Sequence, residues 1–155
     1  MNNSDEQLHL LFPTVVQVSQ VPQHEEINAA REEIDKYARK ICLDIDRHPI
    51  RITECWLNAY ARNHSQEIHL HRNCVISGIY YVRVPPGSGA TLFYSPQSDV
   101  MLEPPSTGSN NLNAKVTGFP PVEGRMILFR SSLRHSVLPG ENTEERISVA
   151  FNAVM

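Results

Sequence analysis

Short apolar runs rich in β-branched and aromatic residues, separated by turns, recur along the chain beyond residue 50. The runs read ITECWLNAY, CVISGIYYVRV, ATLFYS, RMILFR and RISVAFNAV. Clusters rich in Gly and Pro lie between them, reading VPPGSGA, LEPPSTGSNN, GFPPVEG and LPGEN, and such clusters are turn or loop signals. Many short strands separated by turns are typical of a β-sandwich or β-barrel. The pattern therefore predicts that β-structure dominates this chain.

A single helical pattern precedes the strand-like runs. The segment HEEINAAREEIDKYARKICLDI has apolar residues at helical spacing and acidic residues in its first turn, where they complement the helix dipole. The apolar positions are Ile27, Ile34, Tyr37, Ala38 and Ile41. Ahead of it, LHLLFPTVVQVSQV predicts one strand. The predicted fold class is mainly β with an N-terminal helix, built as a sandwich or barrel.

Length and composition restrict the class of protein. At 155 residues, with 41% hydrophobic and 20% charged residues, the chain is predicted to form one globular domain over residues 1–155. The net charge of −3, without a Lys/Arg-rich run, gives no reason to expect nucleic acid binding. No apolar stretch is long enough to cross a bilayer, and the start MNNSDEQ does not resemble a secretory signal. We therefore expect no membrane association and a cytoplasmic location.

The three cysteines predict neither a disulfide framework nor a cysteine-rich zinc site. Cys42, Cys55 and Cys74 are widely spaced and form no C-x-x-C motif. We interpret them as buried apolar residues. Any metal ligands are therefore expected among the histidines and carboxylates.

The motif H-x-H, within the segment HSQEIHLHRNCV, is the first candidate for chemistry. Alternate residues of an extended strand point to the same face, so Glu67, His69 and His71 are predicted to converge. A further histidine, His135, follows the apolar strand RMILFR. Two ligands from one strand and a third from a distant strand suit a metal site with one open face, although imidazole suits iron, zinc and copper alike. The structural alternative is a solvated strand edge that carries histidines without a metal.

An arginine at the start of the last apolar strand is the second candidate. Arg146 precedes ISVAFNAV, and a buried guanidinium is costly unless it meets an anion, which it binds best through two parallel hydrogen bonds. Ser148 shares its face and could donate to the same group. The alternative is an ion pair between Arg146 and a protein carboxylate, for which Glu144, Glu145 and Asp99 are the candidates.

The order of these motifs resembles that of the 2-oxoglutarate/Fe(II)-dependent oxygenase superfamily. More narrowly, it resembles a small group of bacterial and phage-associated oxygenases with the signatures W-x-N, H-x-H-x-N, SG-x-YYV, F-x-S-x-x-x-H and R-x-S-x-x-FN. The match extends from Trp56 to Asn152, and the FPT sequence near Phe12 also fits. Each motif alone is weak, but their joint order and spacing are specific.

The resemblance implies a double-stranded β-helix, which is a cupin-like jelly roll of two facing sheets. It implies Fe(II) held by His69, His71 and His135, with no catalytic side chain beyond these ligands. The usual proximal motif of the superfamily is H-x-D or H-x-E, whereas this chain has H-x-H. Glu67 could complete the site in place of His71, or His71 could support the ligands from outside. We favour the three histidines.

The resemblance also implies 2-oxoglutarate as cosubstrate, with its far carboxylate on Arg146 and with Ser148 and Tyr81 as supports. The expected reaction converts 2-oxoglutarate and O2 to succinate and CO2 and hydroxylates a C–H bond of an unknown small-molecule or peptide substrate. A three-histidine cupin-type enzyme that does not use 2-oxoglutarate is one alternative, and a metal-stabilised binding module without catalysis is another. The sequence leaves a homodimer open.

Structural or substrate-related roles are predicted for several other residues. We interpret Trp56 as a core residue and Asn58, on the same face, as a candidate for the cavity wall. Glu32 and Glu33 are predicted to lie on the solvated side of the helix. The polar segment Gln97–Gly124 has only weak strand signals and is predicted to help shape the substrate pocket, because loops of this length are more often functional than idle.

Overall fold

The computed structural model describes residues 7–11, 14–20, 26–99, 102, 104–110 and 112–155. Phe12 and Pro13 lie outside the described residues, as do the side chains of Ile27 and Asp99. The described part contains one α-helix, α1 (Glu26–Lys40), one short 3-10 helix (Pro96–Asp99) and ten strands. The strands are β1 (Gln7–Leu11), β2 (Thr14–Gln20), β3 (Arg51–Tyr60), β4 (Gln66–His69), β5 (Ile76–Arg83), β6 (Thr91–Tyr94), β7 (Val116–Phe119), β8 (Arg125–Arg130), β9 (His135–Val137) and β10 (Arg146–Val154).

The strands form two antiparallel sheets. The larger sheet has the order β1-β2-β8-β5-β10-β3, and the smaller has the order β4-β9-β6-β7. Apart from the pairs β1–β2 and β6–β7, neighbouring strands in each sheet are not consecutive in sequence, which is the connectivity of a jelly roll. The prediction of a mainly β, double-stranded β-helix with an N-terminal helix is confirmed.

The inner part of the larger sheet is buried on both faces, which explains the uninterrupted apolar run of β8. Ile127 and Phe129 point between the two sheets and pack there with residues of both. Met126 and Leu128 point to the opposite face and pack with residues of α1. A strand covered on both sides needs apolar residues at successive positions, and not only at alternate ones.

Gly78 allows the core under α1 to close. A Cβ atom at this position would lie 2.1 Å from the Phe151 ring, which is closer than any real contact. Phe151 itself is buried and belongs to the cluster beneath α1. The glycine of the SGIYYV motif therefore has a packing role, because only a residue without a side chain lets the neighbouring strand place an aromatic ring there.

Three sequence-based interpretations of the fold are wrong. The predicted single first strand is two antiparallel strands, β1 and β2, since Leu11 pairs with Thr14. Cys42 and Cys55 are exposed and Cys74 is only partly buried, so they are not core residues. Cys42 occupies the turn that follows α1, and Cys55 lies on the edge strand β3.

Glu33 is the third exception, because it is buried although we expected it to be solvated. Its relative exposure is 6%, and its carboxylate accepts hydrogen bonds of 2.7 Å from Gln17 Nε2 and of 2.7 Å from Lys36 Nζ. Gln17 belongs to β2 and is itself buried. The contact between α1 and β2 therefore contains a polar group that is satisfied by hydrogen bonds.

The polar segment Gln97–Gly124 contains more regular structure than its sequence suggested. It includes β7, which pairs with β6 at the edge of the smaller sheet.

In the part of the chain that is described, no helix has the length and apolar character needed to span a membrane.

Candidate metal centre

Three histidine side chains converge between the two sheets. His69 at the end of β4 and His135 at the start of β9 are direct partners in an antiparallel pair, and their ring centroids are 4.2 Å apart. The His71 ring lies 5.1 Å from that of His69 and 5.2 Å from that of His135. One potential ligand atom from each residue lies within 4.8 Å of the others. Within the described ranges, this is the only group of three or more His, Cys, Asp or Glu side chains that could hold a metal ion.

The two histidines of the H-x-H motif converge by a different route from the one expected. β4 ends at His69, so His71 lies outside the strand. The backbone N–H of His71 donates to the Ser131 carbonyl at 3.0 Å, and Asn73 has a φ of 65° in the turn before β5. A bend after β4 therefore turns His71 toward the other rings. The Glu67 side chain is exposed and is not part of the cluster.

Backbone carbonyls orient two of the three rings. Nδ1 of His69 lies 2.8 Å from the carbonyl oxygen of Glu67, and Nδ1 of His135 lies 2.9 Å from that of Leu133. A carbonyl oxygen only accepts hydrogen bonds, so both Nδ1 atoms carry the proton. The lone pair of each ring is then on Nε2, which is the arrangement found in metal-binding histidines.

Burial favours the neutral form of two of the three histidines. It lowers the pKa of His135 to about 4, although the hydrogen bond to Leu133 acts in the opposite direction. Burial also lowers the pKa of His71, with a further contribution from His69 and an opposing one from the Glu54 carboxylate. Since only a neutral imidazole has a lone pair to give to a metal, these side chains are suited to bind one near pH 7.

Arg146 is the second buried functional group in the same region. It is 2% exposed, and burial lowers its pKa, with Tyr81 and Tyr60 opposing this effect. Its guanidinium lies 4.2 Å from the ring centre of Tyr60 and 5.7 Å from that of Tyr81, and Nη1 donates to the Gly89 carbonyl at 2.9 Å. Nε of Arg146 is the only buried side-chain nitrogen or oxygen without a hydrogen-bond partner among the described residues.

The protein carboxylates near Arg146 in sequence do not pair with it. Glu144 forms its ion pair with Arg83, and Glu145 is exposed. No carboxylate in the described ranges lies within ion-pair distance of the Arg146 guanidinium. A buried guanidinium with an unused donor is costly, so this arrangement fits a carboxylate supplied by a ligand.

One cavity contains both the histidine cluster and Arg146. Its walls include His69, His71, His135, Arg146 and Ser148. The last strand supplies one side of it, because Arg146, Ser148, Ala150 and Asn152 are alternate residues that share a face. Arg146 lies at the start of this row, and Asn152 at its end is in contact with His71. The unused guanidinium donor and the histidines are therefore two parts of one site.

Strand β3 contributes residues that sequence analysis interpreted differently or missed. Trp56 lines the cavity and is partly exposed, so its interpretation as a core residue is wrong. Asn58 lines the cavity as suggested, and Tyr60, which was not singled out, stacks on Arg146. Trp56, Asn58 and Tyr60 are alternate residues of β3 and share one face, so the sequence contained the pattern that places Tyr60 beside Asn58. Cross-strand pairing places Tyr60 directly opposite Arg146.

Tyr81 is placed less directly than expected for a cosubstrate support. It is fully buried, and its hydroxyl forms a 2.8 Å hydrogen bond with Thr91 Oγ1. Thr91 lines the cavity, whereas Tyr81 is not among the described lining residues. The described residues of the segment Gln97–Gly124 also do not line it. Tyr81 therefore supports Thr91 and Arg146 from behind the cavity wall.

Known proteins resemble this chain in sequence and in fold. Residues 54–152 match the sequence model of a family described as "Putative 2OG-Fe(II) oxygenase", whereas no curated protein matches the chain. Among solved structures, a Pseudomonas putida prolyl-4-hydroxylase superposes with a TM-score of 0.54 at 20% identity, over 87% of this chain and 69% of its own.

HygX from Streptomyces hygroscopicus, solved with nickel and 2-oxoglutarate, superposes with a TM-score of 0.57 at 13% identity, over 90% of this chain and 81% of its own. A 2OG-Fe(II) oxygenase family oxidoreductase from Burkholderia pseudomallei superposes with a TM-score of 0.52 at 16% identity, over 97% of this chain and 73% of its own. These similarities establish the fold, and the narrower bacterial and phage-associated group stays a prediction. From its match over residues 54–152, the chain belongs to the 2OG-Fe(II) oxygenase family of enzymes, whose cofactors are Fe(II) and 2-oxoglutarate.

Proposed function

We propose that this protein is a 2-oxoglutarate- and Fe(II)-dependent dioxygenase that hydroxylates a C–H bond of a small-molecule or peptide substrate. His69, His71 and His135 hold the iron, and Arg146 and Ser148 hold the far carboxylate of 2-oxoglutarate. The observation that carries the proposal is that one cavity contains both a cluster of three imidazoles and a buried guanidinium with an unused donor.

The described side chains divide the work of binding between them. The three histidines would hold the ion, and three protein ligands would leave further positions for the reactants, as a metal that activates oxygen requires. The Arg146 fork matches a carboxylate at two points, and the ring of Tyr60 holds the guanidinium from one face. The Ser148 hydroxyl has no hydrogen-bond partner among the described residues, so it is available to the same carboxylate.

The bound cofactor supplies oxidation chemistry that no side chain of this cavity provides. In that reaction 2-oxoglutarate and O2 give succinate and CO2, and the second oxygen atom of O2 enters the substrate as a hydroxyl group. The protein positions the reactants and limits the access of water.

A neutral ligand set favours an anionic cosubstrate. Three imidazoles leave the double positive charge of the ion unchanged, whereas the more common set with a carboxylate reduces it. 2-Oxoglutarate carries two negative charges, one for the ion and one for Arg146, and therefore neutralises the site at both of its ends. The alternative of a three-histidine cupin-type enzyme without 2-oxoglutarate leaves the buried charge of Arg146 without a partner.

We also infer that residues 1–155 form one domain of this kind. The cluster between the sheets includes Val16 of β2 together with Phe129 of β8, and the cluster beneath α1 includes Ile34 together with Ala153 of β10. Residues on both sides of the family match therefore contribute to the same cores.

Turnover of 2-oxoglutarate without a substrate tests the proposed reaction. We expect the anaerobically loaded Fe(II) protein to form succinate slowly after addition of 2-oxoglutarate and air, because the cosubstrate site is complete without the substrate. Succinate is measured by mass spectrometry against metal-free protein and against an Arg146→Lys variant. Succinate no higher than in the metal-free control, with the iron verified as Fe(II), contradicts catalysis of this type.

A further inference from the structure

His71 differs from the other two histidines in its hydrogen bond. Its Nδ1 lies 3.3 Å from Nδ2 of Asn152, whereas Nδ1 of His69 and of His135 faces a carbonyl oxygen. Asn152 is 2% exposed and opposes Glu54 directly in the pairing of β10 with β3. The side chain that contacts His71 is therefore fixed within the sheet.

The neighbours of Asn152 determine which way its amide points. Nδ2 of Asn152 lies 2.7 Å from the Glu54 carboxylate, which only accepts hydrogen bonds, so this atom is the donor. The Oδ1 atom lies 2.7 Å from the hydroxyl of Ser77, which donates to it, and that hydroxyl is bonded to Ser131 at 2.8 Å. With this orientation the amide N–H points to His71 Nδ1, which must accept.

We propose that Asn152, held by Glu54, is a positioning residue that keeps the His71 proton on Nε2 in the metal-free protein, opposite to His69 and His135. Binding of a metal through Nε2 of His71 then requires the proton to move to Nδ1 and the Asn152 amide to reverse. This inference rests on the proposed role of His71 as a ligand. It makes His71 the weakest ligand and makes the Glu54–Asn152 pair a determinant of metal affinity.

Reversal of the amide is stereochemically available. After a half-turn of the Asn152 amide about its last side-chain bond, Oδ1 accepts from His71 Nδ1–H and Nδ2 donates to the Ser77 hydroxyl. The Ser77 hydroxyl can then donate its own hydrogen bond to Ser131. Only the contact with Glu54 becomes unfavourable, because two oxygen atoms then face each other. Glu54 is exposed and can turn into solvent. Glu54 therefore stabilises the metal-free orientation of the amide.

Nitrogen-15 NMR of the histidine rings tests the first half of the proposal without any metal. At a pH where the rings are neutral, long-range 15N–1H correlations distinguish a ring protonated on Nδ1 from one protonated on Nε2. We expect His69 and His135 to carry the proton on Nδ1 and His71 to carry it on Nε2. A spectrum in which His71 also carries it on Nδ1 overturns the proposal.

A double variant that exchanges the acid and the amide of the Glu54–Asn152 pair tests the proposed effect on metal affinity. In the double variant Glu54→Gln/Asn152→Asp, the total charge and the side-chain shapes are unchanged, but the hydrogen bond between the two positions is reversed. The new carboxylate at position 152 accepts from His71 Nδ1–H, as carboxylates do beside metal-bound histidines. We expect Co2+ to bind the double variant about 10- to 100-fold more tightly than the wild type, measured by titration of the metal-free proteins.

Controls separate this result from other causes. Glu67→Gln removes an exposed carboxylate beside His69 in sequence and should leave Co2+ affinity unchanged, and melting curves verify that each variant is folded. Equal or weaker Co2+ binding by the folded double variant overturns the proposed effect on affinity. If neither protein binds Co2+, the proposed metal centre fails, whereas the NMR result on the metal-free wild type still decides the orientation of His71.

Discussion

Replacing Arg146 by lysine is expected to weaken 2-oxoglutarate binding by about 30-fold to several thousand-fold, while metal content and fold are retained. Loss of one partner from a buried charge pair typically costs about 2–5 kcal/mol of binding. Lysine keeps the charge but cannot form two parallel hydrogen bonds, and it cannot stack on Tyr60 as a planar guanidinium does. Ser148→Ala should cost about 1 kcal/mol, as expected for a single hydrogen bond.

Calorimetric titration of 2-oxoglutarate into the metal-loaded variants measures this effect. Arg83→Lys is the matched control, because it is the same substitution at an arginine whose ion pair, with Glu144, is exposed. That control should retain wild-type affinity for 2-oxoglutarate. If Arg146 has only a structural role, Arg146→Lys lowers the melting temperature and leaves the affinity unchanged, which is the opposite pattern.

Single alanine substitutions of His69, His71 and His135 are expected to remove the metal. The wild type should bind about one divalent ion per chain, because the three imidazoles form one cluster. Removal of one of three ligands should weaken binding by more than the roughly 10- to 100-fold that residues outside the ligand set contribute. Metal content after dialysis against a weak chelator gives the measurement.

Two further variants make the metal experiment decisive. His48→Ala removes a histidine that is exposed, so it should retain full metal content. Glu67→Ala should also retain it, since the Glu67 side chain is exposed while its backbone carbonyl orients His69. If Glu67→Ala loses metal and His71→Ala keeps it, the ligand set is of the histidine–carboxylate type and our assignment is wrong.

The fold was predictable from sequence where one residue pattern determines one local structure. The runs RMILFR and RISVAFNAV became β8 and β10, because strands buried on both faces need continuous apolar sequence. The division of the first run into β1 and β2 was missed, since period-two alternation is the same in one long strand and in a hairpin. Burial of Glu33 was missed because it depends on Gln17 of a different element.

The site was predictable where the residue type alone indicates a function. The histidines of H-x-H and Arg146 are unusual neighbours for apolar strands, so their residue type alone indicates a functional role. Tyr60 and the pair of Glu54 with Asn152 were not recognised, because their importance depends on which strand pairs with β10 and in which register. Residues far apart in sequence become cross-strand partners only after the sheet is assembled, and local patterns in one sequence do not reveal which strands pair or in which register.

The central claim is that one cavity binds Fe(II) through three histidines and 2-oxoglutarate through Arg146. Anaerobic titration of 2-oxoglutarate into the Fe(II)-loaded protein tests it most directly, because chelation of iron by a 2-oxo acid produces a visible metal-to-ligand charge-transfer band. We expect the band to appear and to saturate in the wild type, and to require far higher 2-oxoglutarate concentrations in Arg146→Lys. Absence of the band in wild-type protein with verified Fe(II) content, or identical titrations of the two proteins, would contradict the account.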